Sequence, residues 1–172
     1  MLRNDFEAIR YQYKPDRVKM LFIGESRPNG GTFFYHANSN LYYKTKEAFN
    51  EYFTTNIFSL GNFKSWDCWL YDICEYPVNH LNNAERTEVI RNSMPRLKDI
   101  TEQEHPQYII VCKRGIVRNE VQNSDIMTTY QKDINIFFLP FPACGWQNEY
   151  KRQLIGILEK INFRKLYLKK RK

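Results

Sequence analysis

Four short apolar runs, separated by segments of helical periodicity, constrain this 172-residue chain more than any other feature. They are Val18 to Ile23 (VKMLFI), Trp69 to Cys74, Tyr108 to Cys112 (YIIVC) and Ile134 to Leu139 (INIFFL). Each is too short for a helix and is followed closely by Gly or Pro, as buried strands are. Residues 5–14 carry Phe6, Ile9 and Tyr13 at helical spacing and stop before Pro15. Residues 41–53 are amphipathic, with Leu41, Ala48, Phe49 and Phe53 available to one buried face. Residues 83–100 read as a helix with Asn83 as N-cap and Val89, Ile90, Leu97 and Ile100 inward. Pro95 is expected to kink or break that helix. A short helix is expected after Gly115, and a last one over 147–161 with Leu154, Ile157, Leu158 and Ile161 in register. Apolar strands alternating with helices predict an α/β fold: a parallel sheet with both faces covered.

Composition narrows the class. Hydrophobic residues make up 42% of the chain, enough for a core. No run of 18 apolar residues exists, so no membrane span is expected. The N-terminal MLRNDFEAIRYQYK has no apolar stretch of the secretory kind. Cys68, Cys74, Cys112 and Cys144 form no CxxC pair, which favours reduced thiols in a cytoplasmic protein over a zinc or redox site. The net charge of +7 is uneven. Residues 164–172 (RKLYLKKRK) hold six basic residues and no acid, and +7 less these six leaves the rest at +1. That tail is either a phosphate clamp or a solvated terminus.

In parallel sheets, sites gather just beyond the carboxyl ends of strands. That rule singles out Gly24–Tyr35, Asp72–His80, Lys113–Arg118 and Pro140–Trp146. The first loop opens with Gly24, Glu25, Ser26 and Arg27, and Gly30 and Gly31 allow close backbone approach to a ligand. Phe33, Phe34 and Tyr35 follow. Three consecutive loop aromatics are not expected to share one core, so at least one is free to stack on a planar ligand. The loop fits neither the P-loop nor the GxGxxG pattern. The last loop, LPFPACGW, leads into a helix near Gln147 whose first N–H groups are candidates for facing a phosphate.

Gly24-Glu25-Ser26-Arg27-Pro28 after the first strand, the aromatic loop, and Leu139-Pro140-Phe141-Pro142 after the last strand together resemble the uracil-DNA glycosylase superfamily. The first segment is nearest that family's GEAPG-type motif, and the second stands where HPSP-like segments occur. The resemblance runs in order over residues 18–160. It implies a three-layer α/β/α sandwich with a small, mostly parallel central sheet. It divides the chain into one glycosylase-like domain, 1–163, and a basic tail, 164–172.

The implied activity is flipping and excising a damaged or deaminated, uracil-type base from single- or double-stranded DNA by a monomer. Glu25 takes the water-activating role, and Ser26 holds the water by hydrogen bonding. Phe33 or Phe34 matches the aromatic that stacks on the flipped base. Asp72, with Asn79 farther along, matches the residue reading the base edge. An Asp only accepts hydrogen bonds where an amide both donates and accepts. Arg27, Lys113, Arg114, Pro140, Pro142 and Gly145 fall where the DNA backbone is held, with Arg118 nearby. Leu139 replaces the histidine that stabilises the departing base. No cysteine precedes Cys68, so no iron–sulfur cluster, metal or other cofactor is expected.

Two other readings compete. Ser26 and Leu139 suit a catalytically weak nucleic-acid-binding module on the same fold. Ser26 as an esterase nucleophile would need a late Asp-x-x-His pair, which the chain lacks, its last histidine being His105.

Overall fold

The computed structural model describes residues 3–126 and 134–168. The four apolar runs form the strands β1 (Met20–Gly24), β2 (Cys68–Asp72), β3 (Tyr108–Val111) and β4 (Asn135–Phe138). They assemble into one all-parallel sheet of order β2-β1-β3-β4. Every residue of the central strand β1 is buried, which is why its sequence is apolar without alternation. Seven helices lie wholly within the described residues: α1 (Arg3–Gln12), α2 (Asn40–Phe53), α3 (Leu60–Ser65), α4 (Asn83–Glu104), α5 (Ile116–Gln122), α6 (Gln147–Lys160) and α7 (Phe163–Leu168). The α2 and α6 helices pack together, as do α4 and α5, giving the three-layer α/β/α arrangement. No helix among the described residues is long and apolar enough to cross a membrane.

Several local expectations are corrected. The N-cap of α4 is Asn82, whose side chain accepts from the N–H groups of Ala84 and Glu85 in a capping box with Glu85. Pro95 does not break α4, which continues to Glu104. Ile90 and Leu97, both fully buried, anchor the helix on either side of the missing hydrogen bond. The short α3 escapes the pattern because Phe63 is its single buried residue. Residues at the start of the basic segment are helical: Phe163 is buried, and Arg164 donates to the Tyr52 carbonyl at 3.0 Å. Residues 169–172 lie outside the described residues.

All three loop aromatics enter the core, contrary to expectation: Phe33, Phe34 and Tyr35 are 1%, 3% and 3% exposed. A 3-10 turn over Phe34–His36 fans them onto different aromatic neighbours. Phe33 meets Phe6, Phe34 meets Phe63 and Tyr42, and Tyr35 stacks on Tyr13. Tyr35 also finishes the edge of the sheet. Its hydroxyl donates to the Leu70 carbonyl at 2.9 Å, and the Leu70 N–H donates back at 2.7 Å, on the side of β2 that no strand among the described residues covers. Tyr35→Phe is expected to destabilise the fold by about 1–3 kcal/mol, because both backbone groups are then buried without partners. Urea unfolding checks this.

Behind the sheet, the Tyr150 hydroxyl bonds Thr45 at 2.8 Å and lies 3.9 Å from the Cys112 sulfur. Burial pushes the Cys112 thiol up to about 12 and holds the phenols of Tyr35 and Tyr150 above their ordinary range. Each folded value lies above its unfolded one. The associated stability is therefore intact below about pH 9 and is lost as pH rises toward 12. Unfolding free energy should fall by about 1.4 kcal/mol per pH unit for each group ionised only in the unfolded chain. Urea midpoints between pH 8 and 11 measure the slope, and a flat profile would contradict the burial of these groups.

Candidate functional site

The carboxyl ends of β1 and β2 and the segments after β3 and β4 surround one cavity of about 430 Å³. Gly24, Glu25, Ser26, Arg27, Pro28, Phe33, Phe34, Asp72, Asn79 and Lys113 line it, together with Ser39, Leu41, Leu70, Phe141, Ala143 and Cys144. Eight of the residues singled out from sequence thus meet in one place: Glu25, Ser26, Arg27, Phe33, Phe34, Asp72, Asn79 and Lys113. Pro140, Pro142, Arg114 and Gly145 are not in its lining. The two prolines are buried supports of the loop that delivers Phe141. Gly145 is exposed at φ +87°, and Arg114 lies over the half-exposed Trp146 ring at 4.5 Å.

Two loops are fastened to each other to form this wall. The Cys74 N–H donates to the Glu25 carbonyl at 2.8 Å, the Val78 N–H to Ser26 Oγ at 3.3 Å, and the Asn29 N–H to Asn79 Oδ1 at 3.1 Å. Ser26 and Asn79 therefore hold the loops with their acceptors. The Ser26 hydroxyl proton and the Asn79 amide N–H groups remain to face a ligand. Close backbone approach is required at Gly24, not at Gly30 and Gly31. A Cβ on Gly24 would sit 2.1 Å from Asp72 Oδ1, whereas Gly30 and Gly31 are exposed with nothing near a Cβ.

Each of the two carboxylates is tied to arginine from a distant helix. Both oxygens of Glu25 accept from Arg86 of α4, from Nε at 2.7 Å and from the terminal nitrogen at 2.5 Å. Lys113 Nζ stands 3.2 Å from Glu25 Oε2. Asp72 Oδ2 accepts from Arg10 of α1 at 2.6 Å, and Arg10 also pairs with Glu7. Arg10 is 3% exposed, lies over the rings of Phe33 and Tyr71, and has no hydrogen-bond partner for its buried Nε. Burial pushes the Asp72 carboxyl up, and Arg10 offsets this only in part. Arg10 and Arg86 were not foreseen from sequence. The signal for Arg10 is a charge four residues after Phe6, within the apolar stripe of its helix.

Other placements limit the chemistry. Leu139 is 1% exposed and absent from the cavity lining. His36 packs against Phe6 and Phe33 and is not in the cavity lining, and His80 is exposed. Glu149 in the first turn of α6 already supplies the negative charge that a helix N-terminus favours. Hydrogen bonds from Arg152 and Gln153 lower its carboxyl to about 2. None of the four cysteines forms a disulfide, and Cys144, on the cavity wall, is the exposed one. Among the described residues no group of three His, Cys, Asp or Glu side chains is arranged to hold a metal ion.

A scan against models of known protein families finds no match to this chain, and a search of curated proteins finds none either.

Proposed function

We propose that the protein is a DNA glycosylase-like hydrolase that takes an extruded base into this cavity and cleaves its N-glycosidic bond. The observation carrying the proposal is the convergence of Glu25, Ser26, Phe33, Phe34 and Asp72 on one apolar-walled cavity at the carboxyl edge of a parallel sheet. Flipping a base costs a few kcal/mol. Contact with the apolar wall of the cavity, including the partly exposed Phe141, offsets part of this. DNA in a reducing cytoplasm is the expected partner, with a monomer acting on it.

In the reaction, the bond between sugar C1′ and the base nitrogen breaks, and its electron pair leaves with the base. A water oxygen bonds to C1′, and the water proton is released toward the leaving base. A carboxylate has about four acceptor positions. Arg86 takes one on each Glu25 oxygen and Lys113 one on Oε2, so Oε1 keeps a position for a water. The Ser26 hydroxyl proton is a second anchor for that water. Negative charge develops on the base, and Lys113, a cation on the cavity wall, is the group proposed to meet it, Leu139 being buried and apolar.

The test is incubation with oligonucleotides carrying uracil, hypoxanthine or xanthine, followed by quantification of abasic sites. Release of at least one base is expected. Folded protein that releases none would overturn the proposal. A second reading has a specific basis: Glu25 is neutralised by two cations and no histidine meets the leaving base. It is a binding module of the same shape, and salt-dependent DNA binding without base release would select it.

A further inference from the structure

We propose that Lys113 gives the protein a second activity: its amine forms an imine with the sugar left after base removal, and the DNA strand is then cleaved at that abasic site. The activity rests on the reading of the cavity as a base site, and it goes beyond hydrolysis of the glycosidic bond. Of the residues lining the cavity, Lys113 alone carries a primary amine. Arg27, the other cation there, is a guanidinium and has no free electron pair to offer.

Lys113 stands two residues beyond β3, and its side chain is 26% exposed, neither sealed in the core nor free in solvent. Two contacts fix its head. Nζ lies 3.2 Å from Glu25 Oε2 and 4.8 Å from the centroid of the Phe141 ring, and Glu25 and Phe141 both belong to the cavity wall. In the hydrolysis proposed above, Glu25 Oε1 holds the water that attacks C1′. The amine is at the other oxygen of the same carboxylate, so it reaches the same carbon once the base has gone. A lysine amine beside a carbonyl carbon is the usual origin of an enzyme-bound imine.

An abasic deoxyribose opens to a form with an aldehyde at C1′. An ammonium proton of Lys113 passes to Glu25 Oε2, and the freed nitrogen pair bonds to C1′. The aldehyde oxygen leaves as water with that proton and a second one from the nitrogen, and a protonated imine remains. Glu25, a carboxylate again, takes a proton from C2′. The bond from C3′ to the phosphate oxygen breaks, its electron pair leaves with the phosphate, and a C2′–C3′ double bond forms. Water then hydrolyses the imine and returns the Lys113 ammonium. No oxidant or reductant is consumed.

The experiment uses the full chain and an oligonucleotide with one preformed abasic site, so base excision is not required. Sodium borohydride present during the incubation reduces the imine to a stable secondary amine. A covalent protein–DNA adduct is expected, and mass spectrometry of its peptides should place it at Lys113. Without borohydride, cleavage on the 3′ side of the abasic site is expected above the spontaneous rate. Lys113→Arg keeps a cation beside Glu25 and removes the nucleophile, so adduct and cleavage should both fall at least about tenfold, in protein verified as folded by its unfolding midpoint. No adduct, an adduct placed at another lysine such as Lys169 or Lys170, an adduct retained in Lys113→Arg, or an adduct without cleavage would overturn the proposal. So would equal adduct formation with a sugar already reduced to the alcohol, which has no aldehyde. Base release from strands carrying uracil, hypoxanthine or xanthine, without an adduct on the abasic strand, overturns the second activity and leaves the hydrolase reading intact. An adduct and cleavage at Lys113 with no base released from any strand does the reverse.

Discussion

Replacing Asp72 by alanine should destabilise the protein by about 3–5 kcal/mol, the range for removing one partner of a buried ion pair. Arg10 is held 2.6 Å from Asp72 and is 3% exposed, so removing the carboxylate takes the nearest anion from a buried guanidinium. Glu7 and the faces of Phe33 and Tyr71 remain, which puts the expected value at the lower end of that range. The pair couples α1 to the carboxyl end of β2, and the Arg10 carbonyl also accepts from the Trp69 indole at 3.2 Å. Arg10→Met should be costly on its own. The Arg10→Met, Asp72→Ala double variant should recover part of the sum, since the one charge it leaves unpaired, Glu7, is partly exposed. Urea unfolding of the four proteins measures this. A loss below 1 kcal/mol for Asp72→Ala, or strict additivity, would contradict the buried pair.

Replacing Glu25 by alanine should reduce base release by at least about a hundredfold, the lower limit for a positioned acid–base group. The side chain does two things that nothing else in the cavity duplicates. Its Oε1 keeps an acceptor position that the proposed reaction uses for water, and it binds Arg86 and Lys113 into one cluster. Without it two cations face each other with no intervening anion. The Lys113 ammonium then loses the partner that sets its position. Arg86 is partly exposed, so the cost to stability should stay below that of Asp72→Ala. Single-turnover rates on oligonucleotides, measured with protein verified as folded by its unfolding midpoint, give the ratio. Activity within threefold of the parent would remove Glu25 from the reaction.

The strands were legible because parallel strands buried on both faces must be continuously apolar, and VKMLFI and YIIVC admit few other readings. The loops were legible through the general rule that sites lie past strand ends. What could not be read was pairing. Arg10 and Asp72 are 62 residues apart, and Arg86 and Glu25 are 61 apart. No local pattern encodes which helix charge reaches which strand end. Sequence also misjudged Phe33, Phe34 and Tyr35, because a 3-10 turn can direct successive rings into one core, where a strand would alternate them. It misplaced the close-approach glycine for a related reason. The need at Gly24 arises from Asp72 on the neighbouring strand, not from its own loop.

Whether the cavity between the first and last loops holds an extruded base is decided by a crystal structure of the protein with DNA. The complex would contain an oligonucleotide with 2′-fluoro-deoxyuridine, whose glycosidic bond resists cleavage. The base is expected against Phe33 and Phe34, with an N–H group within hydrogen-bond distance of Asp72 Oδ1. A base left stacked in its strand, or bound elsewhere with the cavity vacant, would rule out this cavity as the base site.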